Sequence, residues 1–177
     1  MIVTLTIVLL PLCFTVLLFY WGRGRVRGVT SVADVTALTV PVDVKAMMNL
    51  LDPAQQIFLA ARLSEKDFRM LQAERTKVLL EYVHRIAHNS AVLISLGHAA
   101  MTDVAEPQIA MQGQELVTLA LRTRLLALTA MVMLYTSAHT PWLSTCLELS
   151  AGRYQSAREH VDALGRLLEA SHELLAS

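Results

Sequence analysis

The first 21 residues carry no charged side chain, and this run restricts the possible folds more than any other part of the sequence. About 20 apolar residues in a helix, at about 1.5 Å each, cover the roughly 30 Å hydrocarbon core of a bilayer. Tyr20 and Trp21 close the run, where the aromatic belt of a membrane interface would lie. The sequence therefore predicts a transmembrane anchor over residues 1–21, in contact with the lipid bilayer through residues 2–21.

A cleaved signal peptide is the competing interpretation of this run. Such a peptide has a positively charged start, an apolar core of about 7–15 residues and a small-x-small cleavage site. Here no Lys or Arg precedes the apolar core, the core is longer, and Phe19, Tyr20 and Trp21 end it. These features favour a permanent anchor.

The orientation of the anchor follows from Arg23, Arg25 and Arg27, which come directly after it. Basic residues that flank a span stay on the cytoplasmic side. We therefore expect an inner (plasma) membrane protein with its N-terminus outside and the rest of the chain in the cytoplasm. The same arginines could also attract anionic lipid headgroups.

The charge and cysteine content of the remaining chain excludes two classes of protein. The three arginines belong to 15 basic residues in all, which leaves 12 basic residues against 15 acidic ones after Arg27. A nucleic-acid-binding protein would show a basic surface instead, so no nucleic-acid partner is expected. Cys13 lies in the apolar run and Cys146 far from it, so no disulfide framework is implied.

Residues 22–42 are predicted to be a juxtamembrane basic stretch followed by an extended linker. The segment is rich in Val and Thr, which favour extended backbone over helix, and Pro41 discourages a central strand. We expect this linker to lie partly along the surface of the domain that follows.

Residues 43–177 are predicted to form an α-helical domain. Helix-starting and helix-ending residues divide it into helices at about 43–51, 53–62, 65–101, 106–138 and 153–175, with a short helical turn at 142–149. The predicted fold class is thus all-α, with one N-terminal transmembrane helix and a four- to five-helix bundle-like domain. Residues 125–147 lack charge and could be a second span, although their polar residues favour a buried central helix.

Two Glu-x-x-His motifs, Glu81 to His84 and Glu169 to His172, resemble the ligand motifs of ferritin-like di-iron bundles. A helical wheel places both motifs away from the apolar stripes of their helices, whereas a dinuclear site needs ligands that point inward. His84 and His88 are four residues apart and are a weak candidate for a surface metal site. No metal or other cofactor is predicted.

Four polar residues fall on otherwise apolar faces or next to them, namely Arg75, Asn89, Ser90 and His160. Buried polar groups require partners, which could be neighbouring helices or a bound molecule. The stretch Gly152-x-Tyr154-x-x-Ala157 resembles the second half of a tetratricopeptide-type repeat, which implies helix-hairpin packing, but no second copy follows at a 34-residue period.

No nucleophile motif, phosphate-binding glycine loop or zinc-protease motif is present, so no enzyme activity is predicted. The sequence favours a membrane-anchored helical interaction or scaffold protein, or a small subunit of a membrane complex, with a protein partner. The alternative is a membrane-tethered ligand-binding or sensor domain with an apolar pocket, to which the four polar residues would contribute.

Overall fold

The computed structural model describes Val29 and residues 31–102, 107–136 and 141–176. These residues form six α-helices and no strand, which confirms the all-α prediction for this part of the chain. The predicted anchor at 1–21 and the arginines that would set its orientation lie outside the described residues. The helices are α1 (Val32–Leu38), α2 (Val44–Leu51), α3 (Pro53–Arg62), α4 (Glu65–Thr102), α5 (Pro107–Tyr135) and α6 (Pro141–Ala176).

The short helices begin where the sequence places N-terminal caps. The Asp43 carboxylate accepts the amide of Ala46 at 2.8 Å, and the Asp52 carboxylate accepts that of Ala54 at 2.9 Å. Pro53 occupies the start of α3, where its missing N–H costs nothing. These caps satisfy N–H groups that have no partner within the helix, so they fix where each helix starts.

The three long helices run antiparallel, with α5 between α4 and α6. Their order follows from two core clusters, each of which draws on all three helices. The first cluster includes Met47, Val83, Ile86, Ala127, Leu134, Leu147 and Tyr154. The second cluster includes Val29, Val35, Leu93, Leu96, Leu116, Ala157 and Leu164. Since α4 and α6 pass from the first cluster to the second and α5 passes back, the domain is an up-down-up bundle.

The closest approach between α4 and α5 is made by two glycines. A methyl group built on Gly97 would lie 2.7 Å from the carbonyl oxygen of Gly113 and 2.6 Å from Val117 Cγ2. A methyl group on Gly113 would lie 2.8 Å from the carbonyl oxygen of Gly97. The two helix backbones are therefore in contact here, at a distance that no larger residue permits.

Two predicted features differ from the structure. The predicted extended linker contains α1, which the capping box between Ser31 and Asp34 starts, while residues 39–43 are extended as expected. The predicted break near residue 150 is absent, because α6 continues through Gly152. Gly152 is exposed and its surroundings are open, so it costs α6 a little intrinsic stability without ending the helix.

Among the described residues, one helix is long and apolar enough to cross a membrane, and it is α5. Only 39% of its most apolar window is buried inside the domain. Length and composition are shared by membrane spans and the central helices of folded domains. Its position between α4 and α6 is that of a central helix, as expected for the apolar residues from 125 onward.

Candidate functional site

Residues 38–43 form a strap that lies on α4, and Asn89 fastens it. The Asn89 side chain is fully buried and accepts the amide of Val40 at 2.9 Å while donating to the Val40 carbonyl oxygen at 2.7 Å. Its Nδ2 also donates to the Tyr154 hydroxyl of α6 at 2.7 Å. One amide thus joins the strap, α4 and α6. This finding assigns Asn89 to a neighbouring part of its own chain rather than to a pocket.

Two further side chains of α4, half-buried Arg85 and exposed His88, add contacts to the strap. Arg85 Nη1 donates to the Pro41 carbonyl oxygen at 3.2 Å, and His88 Nε2 lies 3.2 Å from the carbonyl oxygen of Leu38. Both contacts use carbonyl groups that an extended segment cannot satisfy by itself. These contacts hold the strap through its backbone groups. For this reason no side-chain pattern in residues 38–43 predicted them.

Replacing Asn89 by Leu is expected to release the strap while leaving α4, α5 and α6 folded. The change removes three hydrogen bonds, two of them to backbone groups, and should lower the free energy of unfolding by about 2–4 kcal/mol. Hydrogen exchange at the Val40 amide would measure the release directly. His88→Ala is the control, since it removes one exposed contact. An unchanged Val40 exchange rate in Asn89→Leu would contradict this role of Asn89.

Ser90 and His160 do not join a common pocket with Asn89. The Ser90 hydroxyl is buried and donates to the carbonyl oxygen of Ile86, one turn earlier in α4. His160 is half-exposed, with Nδ1 3.1 Å from the Ser156 carbonyl oxygen and Nε2 3.8 Å from Glu115 on α5. The four polar residues predicted as possible pocket groups are therefore spread over separate places.

Two of these four residues line cavities: Arg75 lines a partly open one, and His160 lines a separate, more open one along α5. A cavity of about 370 Å³ lies between the α2–α3 junction, α4, the end of α5 and the start of α6. Arg75 is 7% exposed, and its Nη2 donates to the carbonyl oxygen of Leu50 at the end of α2. Its Nε and Nη1, together with Gln72 Nε2, are buried and make no hydrogen bond among the described residues. Gln72 was missed at the sequence level, although its i, i+3 spacing from Arg75 places both on one face of α4.

The candidate metal ligands whose side chains the structure describes lie on the protein surface. Glu81, His84 and His88 are exposed on α4, and Glu81 pairs with Arg85. No group of three or more His, Cys, Asp or Glu side chains gathers among the residues searched. The side chains of Glu169 and His172 lie outside the described part of α6.

The hairpin of α3 and the start of α4 exposes large apolar side chains. Ile57, Phe58 and Met70 are 72%, 57% and 64% exposed, and no residue of α3 is buried. The Arg62 guanidinium lies over the Phe58 ring, 4.9 Å from its centroid. We call Ile57, Phe58, Leu63 and Met70 the hairpin surface. Exposed large apolar side chains are a feature of docking sites when they cluster on one surface.

The fold and these contacts define an all-α domain with a fastened strap, a polar-lined cavity and an apolar hairpin surface. Comparison of the chain with protein-family models, with curated proteins and with solved structures gave no match. Its function is therefore argued from its own residues.

Proposed function

We propose that this protein is a single-pass membrane-anchored interaction protein, acting as a scaffold or as a small subunit of a membrane complex. Residues 1–21 are its anchor in the inner membrane, its N-terminus is outside, and the helical domain lies in the cytoplasm. The uncharged run and the three arginines that follow it support this arrangement.

The hairpin surface is the observation that carries the interaction role. Burying apolar area contributes about 25 cal/mol per Å², so exposed Ile, Phe and Met side chains favour association with a partner. Phenylalanine and methionine suit such surfaces, because an aromatic ring provides large area and methionine adapts to irregular shapes.

The position of the hairpin surface favours a protein partner over the anchoring bilayer. The chain enters the domain at Val29, which packs in the second cluster, to which Leu93 also belongs. Met70 precedes Leu93 by 23 positions in the same helix, a separation of roughly 35 Å along its axis. The hairpin surface thus lies at the end of the bundle remote from where the anchor joins, and points to a cytoplasmic part of a partner.

The test is affinity capture of the full-length protein from membranes in mild detergent, followed by mass spectrometry. We expect one partner to be recovered with the wild type and lost with the double variant Ile57→Ser and Phe58→Ser. Met111→Ser is the matched control, because Met111 is also an exposed apolar residue but lies on α5.

Equal recovery with the double variant and the control would exclude the hairpin surface as the docking site. Recovery of no partner, together with a stable monomer, would contradict the interaction role itself. Protease added to intact cells tests the topology separately: digestion of the helical domain would place it outside and contradict the proposed orientation.

A further inference from the structure

The cavity beside Arg75 combines a buried cation, unpartnered donors and an apolar wall. Its apolar lining comes from five helices and comprises Leu50, Leu51, Pro53, Leu79, Leu134 and Leu143. Its volume of about 370 Å³ falls in the range of roughly 300–1,000 Å³ occupied by small-molecule sites. The cavity is distinct from the hairpin surface and from the strap.

The electrostatics of the cavity call for a negatively charged group. The Arg75 guanidinium is buried, and a buried cation requires a compensating partner. Among the described residues, its guanidinium donates to the neutral carbonyl oxygen of Leu50 and takes part in no ion pair. Glu148 is the single acidic residue in the described lining; it is exposed and forms no ion pair with Arg75.

The free donors match an oxyanion in number and kind. Arg75 Nε and Nη1 and Gln72 Nε2 are all N–H donors without an acceptor among the described residues. Both side chains line the cavity. Carboxylates and phosphates accept several N–H donors at once and bind arginine more strongly than neutral acceptors do.

We propose that this cavity binds a small amphipathic oxyanion, whose carboxylate or phosphate group is held by Arg75 and Gln72 and whose apolar part packs against the surrounding leucines. The site does not depend on the docking role of the hairpin surface. Four elements meet around the ligand, namely the α2–α3 junction, α4, α5 and α6, so binding also stabilises the end of the bundle that carries the hairpin.

Titration calorimetry and thermal unfolding of the full chain in phosphatidylcholine nanodiscs test the proposal. The probes are hexanoate, inorganic phosphate and, as the uncharged counterpart, hexanol. We expect an anion to bind and to raise the melting temperature by roughly 5–10 °C at a hundredfold excess over its dissociation constant. Tighter binding of hexanoate than of phosphate supports an amphipathic oxyanion, whereas equal or tighter binding of phosphate would contradict a role of the leucines in binding.

Variants separate the site from general stability. Arg75→Met should weaken anion binding by at least about tenfold, because it removes a charge-assisted contact. Arg69→Gln is the matched control, since Arg69 is an exposed arginine of the same helix, and it should bind as the wild type does. If Arg75→Met does not fold, Gln72→Met tests the same site, because it retains the Arg75 cation. We expect its loss of affinity for the anions to be smaller.

Three results would overturn the inference. They are the absence of binding by either anion at millimolar concentration, hexanol binding as tightly as hexanoate, and Arg75→Met or Gln72→Met binding the anions as the wild type does. Anion binding is measured without a protein partner, so a failure to capture a partner does not change these results. Either proposal can therefore fail while the other stands.

Discussion

Replacing Ile86 by Asp is expected to unfold the helical domain. Ile86 is 0% exposed and packs in the first cluster, where α4, α5 and α6 meet. The substitution removes a buried aliphatic side chain and leaves a carboxylate without a partner in an apolar environment. We expect the free energy of unfolding to fall by more than about 4 kcal/mol, a large share of what a domain of this size possesses. Urea unfolding followed by far-ultraviolet circular dichroism would measure the loss.

His84→Ala is the control for this prediction, because His84 lies two residues earlier on the exposed face of the same helix. Its effect should stay within about 0.5 kcal/mol. A cooperative unfolding curve with an unchanged midpoint in Ile86→Asp would contradict the assignment of the buried face of α4. Loss of partner capture in a folded His84→Ala variant would show that this face, and not only the hairpin surface, takes part in binding.

Replacing Gly97 by Ala is expected to destabilise the domain, although alanine favours helices more than glycine does. The added methyl group would lie 2.7 Å from a backbone oxygen of Gly113, which can move only if α5 moves. Separating the helices disturbs the second cluster on both sides of the crossing. We expect a net loss of about 1–3 kcal/mol in the free energy of unfolding, measured as a lower denaturant midpoint.

Gly152→Ala supplies a control of opposite sign. Gly152 also lies inside a helix, but nothing stands within 4 Å of an added methyl group there. The same chemical change should therefore stabilise the protein by about 0.5–1 kcal/mol through helix propensity alone. If both variants shifted the midpoint in the same direction, close packing at the Gly97 crossing would not be the cause.

The sequence predicted most helix boundaries because the signals for them are local. Asp52 followed by Pro53, and Ser64 followed by Asp67, cap α3 and α4 as expected, since a cap needs only neighbouring residues. The failure at α1 had a different cause: its valines favour extended backbone, but the Ser31 capping box and burial of Val35 outweigh that preference. Local signals therefore predicted where helices begin and end better than they predicted how many helices there are.

The candidate site could be predicted only in part, because its partners are distant in the chain. Asn89 and Arg75 were identified as polar residues on apolar faces, which is where a helical pattern is informative. Their partners are the backbone of Val40, 49 positions away, and that of Leu50, 25 positions away. Backbone groups are the same in every residue, so no sequence pattern reveals which of them a buried amide or guanidinium will find.

Docking of Val29 against the bundle has a consequence for how the protein would work at a membrane. Because Trp21 ends the proposed anchor, only residues 22–28 connect it to the domain. This segment can span no more than roughly 28 Å when fully extended. In this proposed arrangement the domain is confined near the membrane, which raises its local concentration around any neighbour anchored in the same membrane. A low intrinsic affinity would then be enough to keep the two proteins associated. Cleavage within residues 22–28 would let them dissociate, although every contact of the interface would be unchanged.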